Sequence, residues 1–530
     1  MPTPALRTAF QRVHVASLAL CAIMLPWSTA FLSMSEMLLA ANWIAGGLVL
    51  GEGRMRWRAG FATAPALIFL SFLALHLVGL LWTEDLGWGF DLCRILAPVL
   101  VFGAVLAGSD RLQAREFRTI LLLGAWSAIA SGLFGLFFSG AREGDYRSIS
   151  MFVSHIRLAL MLSFSVAVLL WAWPRSNWQR AAHVAGCIAA TYLIARLGSL
   201  QGFIILGLLV LLFIWRRSGR AGPVWRIITR AGVIALLLLP IGLARLAWSA
   251  ISAPVAAGSI DPAERTAGGE AYQHDTLSTQ TENGTHVWTY VAWGEFYRTW
   301  SRRSQRPLEG NDALGHPLYS TAARYLSSKG LRKDSLGVMA LSDAELRAIE
   351  QGASSAVRGA QGPLRARVEE VLFELEQYRS TGRADGHSVA MRMEFLRAGW
   401  AIARDHWLLG VGTGDTQRAF DAHYEESGSL LAPEWRLRAH NQYLTLWISF
   451  GALGLVLALF TWWWPAKHLK AWSDPLFQCW AVAFGVSCLT DDTIETQAGA
   501  TFFALYYALF VFAAPRAVFS APRPPAPWRP

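Results

Sequence analysis

One histidine lies at the point where a long polar segment becomes an apolar helix. His440 belongs to the string Arg436–Leu444, and the apolar residues Trp447 to Phe450 follow closely. Counting about 20 helical residues of ~1.5 Å each back from Phe460 places this histidine at one border of a membrane. A neutral imidazole, with an unperturbed pKa of about 6.5, can accept the proton of an attacking hydroxyl group. A polar residue that caps a helix at the interface is the alternative interpretation.

Several arginines fall on the same predicted side of the membrane. They are Arg147, Arg157, Arg196 and Arg392. Charges near a bilayer are costly and are therefore candidates for function, and a guanidinium group binds phosphate oxygens in a bidentate way. Arginines that converge at this border would form a site for an anionic headgroup such as a polyprenyl diphosphate. The alternative for each one alone is a side chain that extends to the interface or forms a local ion pair.

The composition is that of an integral membrane protein. Of 530 residues, 54% are hydrophobic and 16% are charged, and the mean hydropathy is +0.33, which argues against a set of soluble domains. The formal net charge of +10 would suggest nucleic acid as the partner of a soluble chain. Here, however, the lysines and arginines cluster between apolar runs and report topology instead. All five cysteines lie inside apolar runs, so no disulfide framework is available.

Twelve apolar runs have the length of membrane-spanning helices. They lie near residues 14–32, 36–52, 62–82, 87–107, 118–138, 157–173, 181–197, 200–215, 231–249, 441–464, 475–490 and 498–515. The sequence therefore predicts an all-α, polytopic membrane protein with about 12 transmembrane helices and one large, mainly helical periplasmic loop. Residues 1–249 hold helices one to nine, 250–440 the loop with a helical second half, 441–516 helices ten to twelve, and 517–530 a Pro-rich cytoplasmic tail.

Basic residues are concentrated in alternate short loops. Loops such as Arg54–Arg58 are therefore predicted to be cytoplasmic, together with both termini, whereas acidic loops such as Asp491–Glu495 are predicted to face outward. This orientation puts the long polar segment, and His440 after it, on the outer side.

The clearest helix of the large loop runs from Ser388 to Trp407. Its apolar residues recur at helical spacing, and Arg392 and Arg397 lie off that apolar stripe. The glycine-rich run Gly410–Gly414 follows. It predicts a tight turn rather than a nucleotide-binding loop, because it comes after a helix and lacks the Gly-Lys-Ser/Thr ending.

Three blocks carry a resemblance to a known family. The strings Arg392–Trp400, Leu409–Gly414 and Ala439–Leu444 resemble the O-antigen ligase family. Its members are similar in having about twelve spans and one large periplasmic loop before a His-Asn pair. The string Ser154–Arg157 also resembles a periplasmic-face motif in some branches of that family.

The resemblance implies a metal-independent, inverting membrane glycosyltransferase without a cofactor. Such an enzyme would transfer a glycan from undecaprenyl diphosphate to a sugar hydroxyl of lipid A-core at the periplasmic face of the bacterial inner membrane. His440 takes the role of base or acceptor-positioning residue, and nucleic acid is not expected as a partner. The diphosphate-binding arginines are Arg392, Arg157, Arg196 and Arg147, and the supporting residues are Asn441, His155 and Arg397.

The chain departs from the family at the start of the eighth span. Many members carry a Ser-Arg pair there, whereas this sequence has Ser199, Leu200 and Gln201. Arg196, one helical turn away, is the candidate substitute.

Other functions stay open at this point. An O-antigen polymerase would use the same donor with a polyprenyl-linked glycan as acceptor, and a protein O-oligosaccharyltransferase would use a protein. A lipid-linked glycan transporter would also explain the topology, but it would not require His440 beside Arg392. A metal-dependent membrane glycosyltransferase would need an acidic cluster, and the candidates are Glu84, Asp85 and Asp91. An acidic outer loop without a metal is the favoured interpretation of these residues.

Overall fold

The chain is a predominantly helical protein in a computed structural model. The structure describes residues 3–515 except 140–147, 220–221, 253–259, 262, 276–277, 279, 283–284, 314, 357–377, 379–383 and 385–387. Arg147 and the Pro-rich tail lie outside the described residues.

Twenty α-helices are described, numbered here in chain order. They are α1 (Pro4–Met24), α2 (Thr29–Val49), α3 (Gly53–Phe61), α4 (Ala64–Gly79), α5 (Leu86–Ile95), α6 (Ala97–Ala107), α7 (Ala114–Phe138), α8 (His155–Trp171), α9 (Asn177–Arg196), α10 (Leu200–Ser218), α11 (Pro223–Ser252), α12 (Trp293–Arg303), α13 (Leu318–Ser328), α14 (Ser335–Met339), α15 (Asp343–Glu350), α16 (Ser388–Asp405), α17 (Thr416–Glu426), α18 (Gln442–His468), α19 (Pro475–Thr490) and α20 (Gln497–Ala508). The described strands are β1 (Thr281–Glu282) and β2 (Thr285–His286), which pair antiparallel.

Each of the predicted apolar runs overlaps one of these helices or a consecutive pair of them. Among the described residues, 6 helical segments are both long and apolar enough to cross a membrane: Thr29–Val49, Ala64–Trp82, Leu86–Ala107, Ala114–Phe138, Leu200–Ser218 and Gln442–His468. Three shorter apolar helices are His155–Trp171, Pro475–Thr490 and Gln497–Ala513. The protein is therefore a multi-pass membrane protein, and the number of twelve spans stays a prediction.

The chain divides into two compact units. The first contains residues 1–234, 395–427 and 436–530, and the second contains residues 235–394 and 428–435. The segment predicted as one large loop is thus divided between the units, because the end of α16 and all of α17 pack with the first unit.

The core of the first unit surrounds α20. Every residue from Ala498 to Ala513 is buried, as expected for a helix that is apolar on all sides. Its aromatic side chains stack on those of neighbouring helices. The ring of Tyr507 lies 4.6 Å from that of Phe69 on α4, with an angle of 3° between the planes.

A proline divides the predicted fourth span into α5 and α6. Pro98 is the second residue of α6, a position that proline tolerates, whereas it cannot continue a preceding helix because it has no N–H to donate. Leu96 at the junction has φ −85° and ψ 0°.

The second unit has a small core of its own. Phe296, Trp300, Leu326, Val338 and Ile349 are buried together in it. Helices α12 and α13 lie in the first half of the predicted loop, so helical structure is not confined to the second half. Much of that second half, residues 357–377 above all, lies outside the described residues.

The glycine-rich run forms the predicted turn, and the turn packs against α18 and the segment before α5 within the first unit. Gly410 and Gly412 have φ of 71° and 104°, which favours glycine because it lacks a Cβ atom. The carboxylate of Asp415 accepts hydrogen bonds from the backbone N–H groups of Glu84 and Asp85, at 2.7 and 2.8 Å. These contacts hold the start of α17 against the turn between α4 and α5.

Gly410→Ala should destabilise the first unit. A Cβ atom at Gly410 would lie 2.3 Å from the backbone carbon of Ser449, so main chain would have to move. Gly428 has a similar positive φ of 62° with open space around it, and Gly428→Ala is therefore the matched control. We expect a cost of about 1 kcal/mol for positive φ in the control and ~2 kcal/mol more for the clash. Thermal unfolding in detergent measures the difference, and equal midpoints for the two variants would contradict the proposed docking.

Candidate functional site

The predicted histidine lies just before α18, and the sequence explains its position. Asn441 is the N-cap of α18, since its Oδ1 accepts a hydrogen bond from the Leu444 N–H at 3.0 Å. Its Nδ2 donates to the carbonyl of Leu489 at 3.2 Å and so ties the start of α18 to the end of α19. His440 itself has φ of 47°, an unusual conformation for a residue with a side chain, which is often found at functional sites.

The imidazole of His440 faces an acidic turn formed by residues 491–495. Its Nδ1 lies 3.8 Å from Oδ1 of Asp491, and its side chain is 39% exposed. On another side, the ring of Phe395 from α16 lies 6.0 Å from the imidazole ring. The histidine is therefore held between a carboxylate and an aromatic ring while part of it stays accessible.

The same carboxylate also contacts Arg157. One guanidinium nitrogen of Arg157 lies 2.9 Å from Oδ2 of Asp491, and the exposed fractions of the two side chains are 13% and 7%. Another guanidinium nitrogen donates to Oγ of Ser154, the N-cap of α8, at 2.8 Å. Asp491 thus bridges two residues that the sequence predicted for one site, although they are far apart in the chain.

Burial raises the pKa of the Asp491 carboxyl, but the nearby His440 imidazole and the charge of Arg157 oppose this effect and give a net lowering. Because the pKa is lowered on folding, the carboxylate stabilises the fold above its unfolded value of about 3.9, and this contribution is lost as the pH falls through the lowered value. Asp491 is therefore ionised at neutral pH, next to the imidazole.

Other polar contacts give the acidic turn a defined shape. Asp492 accepts a hydrogen bond from Oγ1 of Thr445 on α18 at 2.6 Å, and Gln442 accepts one from the backbone N–H of Ile494 at 3.0 Å. Glu495 forms a buried ion pair with Arg438, and the Arg438 guanidinium lies 5.8 Å from the centre of the Trp88 ring. These contacts tie the acidic turn to residues 438–445.

Gln201 occupies the region where many family members carry an arginine. Its amide donates to Oγ of Ser487 at 3.2 Å and accepts from Oγ1 of Thr490 at 2.6 Å. It therefore joins the first turn of α10 to the end of α19 directly before the acidic turn. Arg196 is exposed at the last position of α9.

The other predicted residues lie at the following places. His155 is half-buried as the first residue of α8, while Arg392 and Arg397 are exposed on α16. Arg392 belongs to the second unit and His440 to the first. The diphosphate role of Arg392 stays a prediction.

The three acidic residues considered for a metal site make separate contacts. Asp91 pairs with Arg94, Glu84 pairs with Arg418, and the Asp85 carboxylate accepts a hydrogen bond from the Trp88 N–H at the start of α5.

Sequence reasoning missed Asp491, Arg438 and Glu495 as members of the site. The acidic string at residues 491–495 was visible, but it was interpreted only as an outward-facing loop. A signal was present, since an aspartate at the end of an apolar helix needs a cationic or polar partner when it is buried.

The comparisons with known proteins agree with the blocks that carried the resemblance. Residues 336–459 match the family model described as O-antigen ligase. These 124 residues are similar to the O-antigen ligase domain. The match supports a function of the O-antigen ligase or polymerase type and indicates a glycosyltransferase-like membrane enzyme. No curated protein matches the chain at a significant level of similarity.

The O-antigen ligase match covers only part of the candidate site. It contains Arg392, the glycine-rich run and His440, whereas Arg157 and Asp491 lie outside residues 336–459. Tertiary structure therefore adds two charged partners to the histidine of the matched domain.

Asp491→Asn should destabilise the first unit because it leaves the largely buried Arg157 guanidinium without its anion. Loss of one partner of a buried ion pair costs about 3 kcal/mol, while loss of an exposed pair costs under about 1 kcal/mol. Asp91→Asn, which removes the exposed partner of Arg94, is the control. Thermal unfolding provides the measurement for these two variants, for Arg157→Gln and for an Asp491→Asn, Arg157→Gln double variant. A double variant as unstable as the sum of both single changes would show that the two residues are not coupled.

Proposed function

We propose that this protein is an O-antigen ligase-type glycosyltransferase. It transfers a glycan from undecaprenyl diphosphate to a sugar hydroxyl of lipid A-core, at the periplasmic face of the inner membrane. The observation that carries the proposal is the Asp491 carboxylate between His440 and Arg157, in a chain whose residues 336–459 match the O-antigen ligase family.

His440 acts as the general base in this proposal. An ionised Asp491 next to Nδ1 favours the tautomer that carries its proton on Nδ1, which leaves the Nε2 lone pair for the acceptor hydroxyl. The hydroxyl oxygen forms a bond to the anomeric carbon while its proton passes to Nε2. The bond from that carbon to the diphosphate oxygen breaks at the same time, and its electron pair leaves with the diphosphate. General base catalysis of this kind contributes a factor of about 10² to 10⁴ in rate.

Arginine side chains stabilise the departing diphosphate. Arg392 is exposed and carries the main role, with Arg196, Arg147 and Arg157 as further candidates. Arg157 already contacts Asp491, so its first role is to hold that carboxylate toward His440. Guanidinium groups that face the leaving group stabilise its growing charge without a divalent ion, and the reaction is therefore proposed to be metal-independent and to invert the anomeric centre.

His440→Ala should abolish glycan transfer while the protein still folds and inserts. The reason is the loss of the only proposed proton acceptor at the attacking oxygen. His468→Ala is the matched control, because His468 lies at the opposite end of the same helix, stacked on Trp464. Lipopolysaccharide ladders from cells that carry each variant measure transfer. Near-normal ladders with His440→Ala would refute the base role.

Arg392→Lys should reduce transfer by about 10²-fold, because a lysine charge does not reproduce the bidentate contact of a guanidinium group. Arg404→Lys is the control, since Arg404 is exposed on the same helix and lies near Asp405. Rates are measured with the purified chain, a polyprenyl diphosphate-linked glycan and lipid A-core. A lysine variant at the wild-type rate would exclude diphosphate binding by Arg392.

The acceptor is tested in the same purified system. The chain is incubated with the lipid-linked donor and lipid A-core, or with the donor alone, in the presence and absence of a chelator. Growth of lipid A-core supports the ligase. Growth of the polyprenyl-linked glycan instead identifies a polymerase, and strong inhibition by the chelator that magnesium or manganese reverses contradicts the metal-independent mechanism.

A further inference from the structure

A polar cavity lies at the other end of the first unit. Trp27, just after α1, contacts Phe152, which comes shortly before α8 and Arg157. The start of α1 is therefore at the end remote from His440. A cavity of about 230 Å³ lies there between the start of α1, the end of α2, α3 and the end of α6. It is larger than the ~30 Å³ that one water molecule occupies.

Two arginines share one carboxylate at this cavity. Glu52 accepts hydrogen bonds from Nη2 and Nε of Arg56 at 2.9 and 3.2 Å, and Nη2 of Arg7 contacts its other oxygen. Nη1 of Arg56 donates to the carbonyl of Trp43 at 2.9 Å. Arg56 is therefore satisfied, while Arg7, whose side chain is 63% exposed, brings a second positive charge to the same anion.

A buried histidine provides an independent sign of a ligand. His14 is 5% exposed and lines the cavity, and its Nε2 has no hydrogen-bond partner among the described residues. Buried polar atoms of native proteins are nearly always hydrogen-bonded, so this nitrogen calls for a partner. Asn42 also lines the cavity, and its Nδ2 donates to the carbonyl of Phe10 at 3.1 Å.

The surface next to the cavity has the character of a membrane interface. Helix α3 exposes Met55 and Trp57 together with Arg54 and Arg58, a pattern typical of a helix that lies at the level of lipid headgroups. Leu48 at the end of α2 is also exposed. Acyl chains next to such apolar side chains would keep an attached headgroup at the level of the cavity.

We propose that this cavity binds the phosphate group of an anionic phospholipid. Four charged residues line the cavity, namely the basic Arg7 and Arg56 and the acidic Glu52 and Asp110. In this proposal the phosphate binds to Arg7, which is the more exposed of the two cations, and the polar part of the headgroup lies next to His14 and Asn42. The site is separate from His440, and its test does not depend on glycan transfer.

The test uses the purified full-length chain in nanodiscs that contain phosphatidylglycerol and phosphatidylcholine. Native mass spectrometry measures the bound lipids for the wild type and for Arg7→Gln, His14→Phe and Arg12→Gln. Arg12→Gln is the matched control, because Arg12 lies exposed on the same helix and does not line the cavity. We expect Arg7→Gln to weaken phosphatidylglycerol binding by about tenfold, as for a lost charge-assisted hydrogen bond. The control should change it less than about twofold, since an exposed charge contributes little.

His14→Phe should also lose phosphatidylglycerol binding. If His14→Phe does not fold, the result for Arg7→Gln alone tests the site. Equal losses for Arg7→Gln and Arg12→Gln would show diffuse attraction and overturn the site. If the wild type retains phosphatidylcholine as well as phosphatidylglycerol, the cavity has no preference for anionic headgroups. If inorganic phosphate displaces the lipid and stabilises the protein as strongly as the lipid does, the cavity is a site for a free anion instead.

Discussion

The contacts of the Asp491 carboxylate hold the candidate site together. This group lies 3.8 Å from Nδ1 of His440 and 2.9 Å from the Arg157 guanidinium. It is almost completely buried, so its charge is compensated mainly by the Arg157 guanidinium rather than by water. Removal of the Arg157 guanidinium would leave a buried anion, and removal of the carboxylate would leave a largely buried cation. The geometry of the imidazole is therefore coupled to the stability of the surrounding helices.

Several helices have to meet for this contact to exist. Arg157 comes from the first turn of α8, His440 precedes α18, and Asp491 follows α19. Gln201 from α10 fixes the end of α19, and Asn441 joins that end to the start of α18. Each of these polar side chains lies within a turn of a helix end. Exposed backbone groups and polar residues are tolerated there more readily than in the apolar middle of a span.

Two close backbone approaches keep this arrangement compact. Gly410 packs against the backbone of Ser449, and Gly451, with φ of 67°, packs against the backbone of Leu408. The segment after α16 therefore lies directly against α18, ten residues after His440. This explains why the glycine-rich run is structural, and why its spacing resembled a phosphate-binding loop without having that chemistry.

The sequence by itself determined the helical class, the membrane character and the positions of the apolar helices, because these depend on composition and on the local period of apolar residues. It also determined the family of the segment around His440 and the turn at Gly410–Gly414. Only the tertiary structure decided which charges meet. Asp491 lies about fifty positions after His440 and more than three hundred positions after Arg157. No local pattern encodes a pairing across such separations. Such a pairing results from helix packing, which brings three helix ends to one place and removes the water that would otherwise solvate their charges.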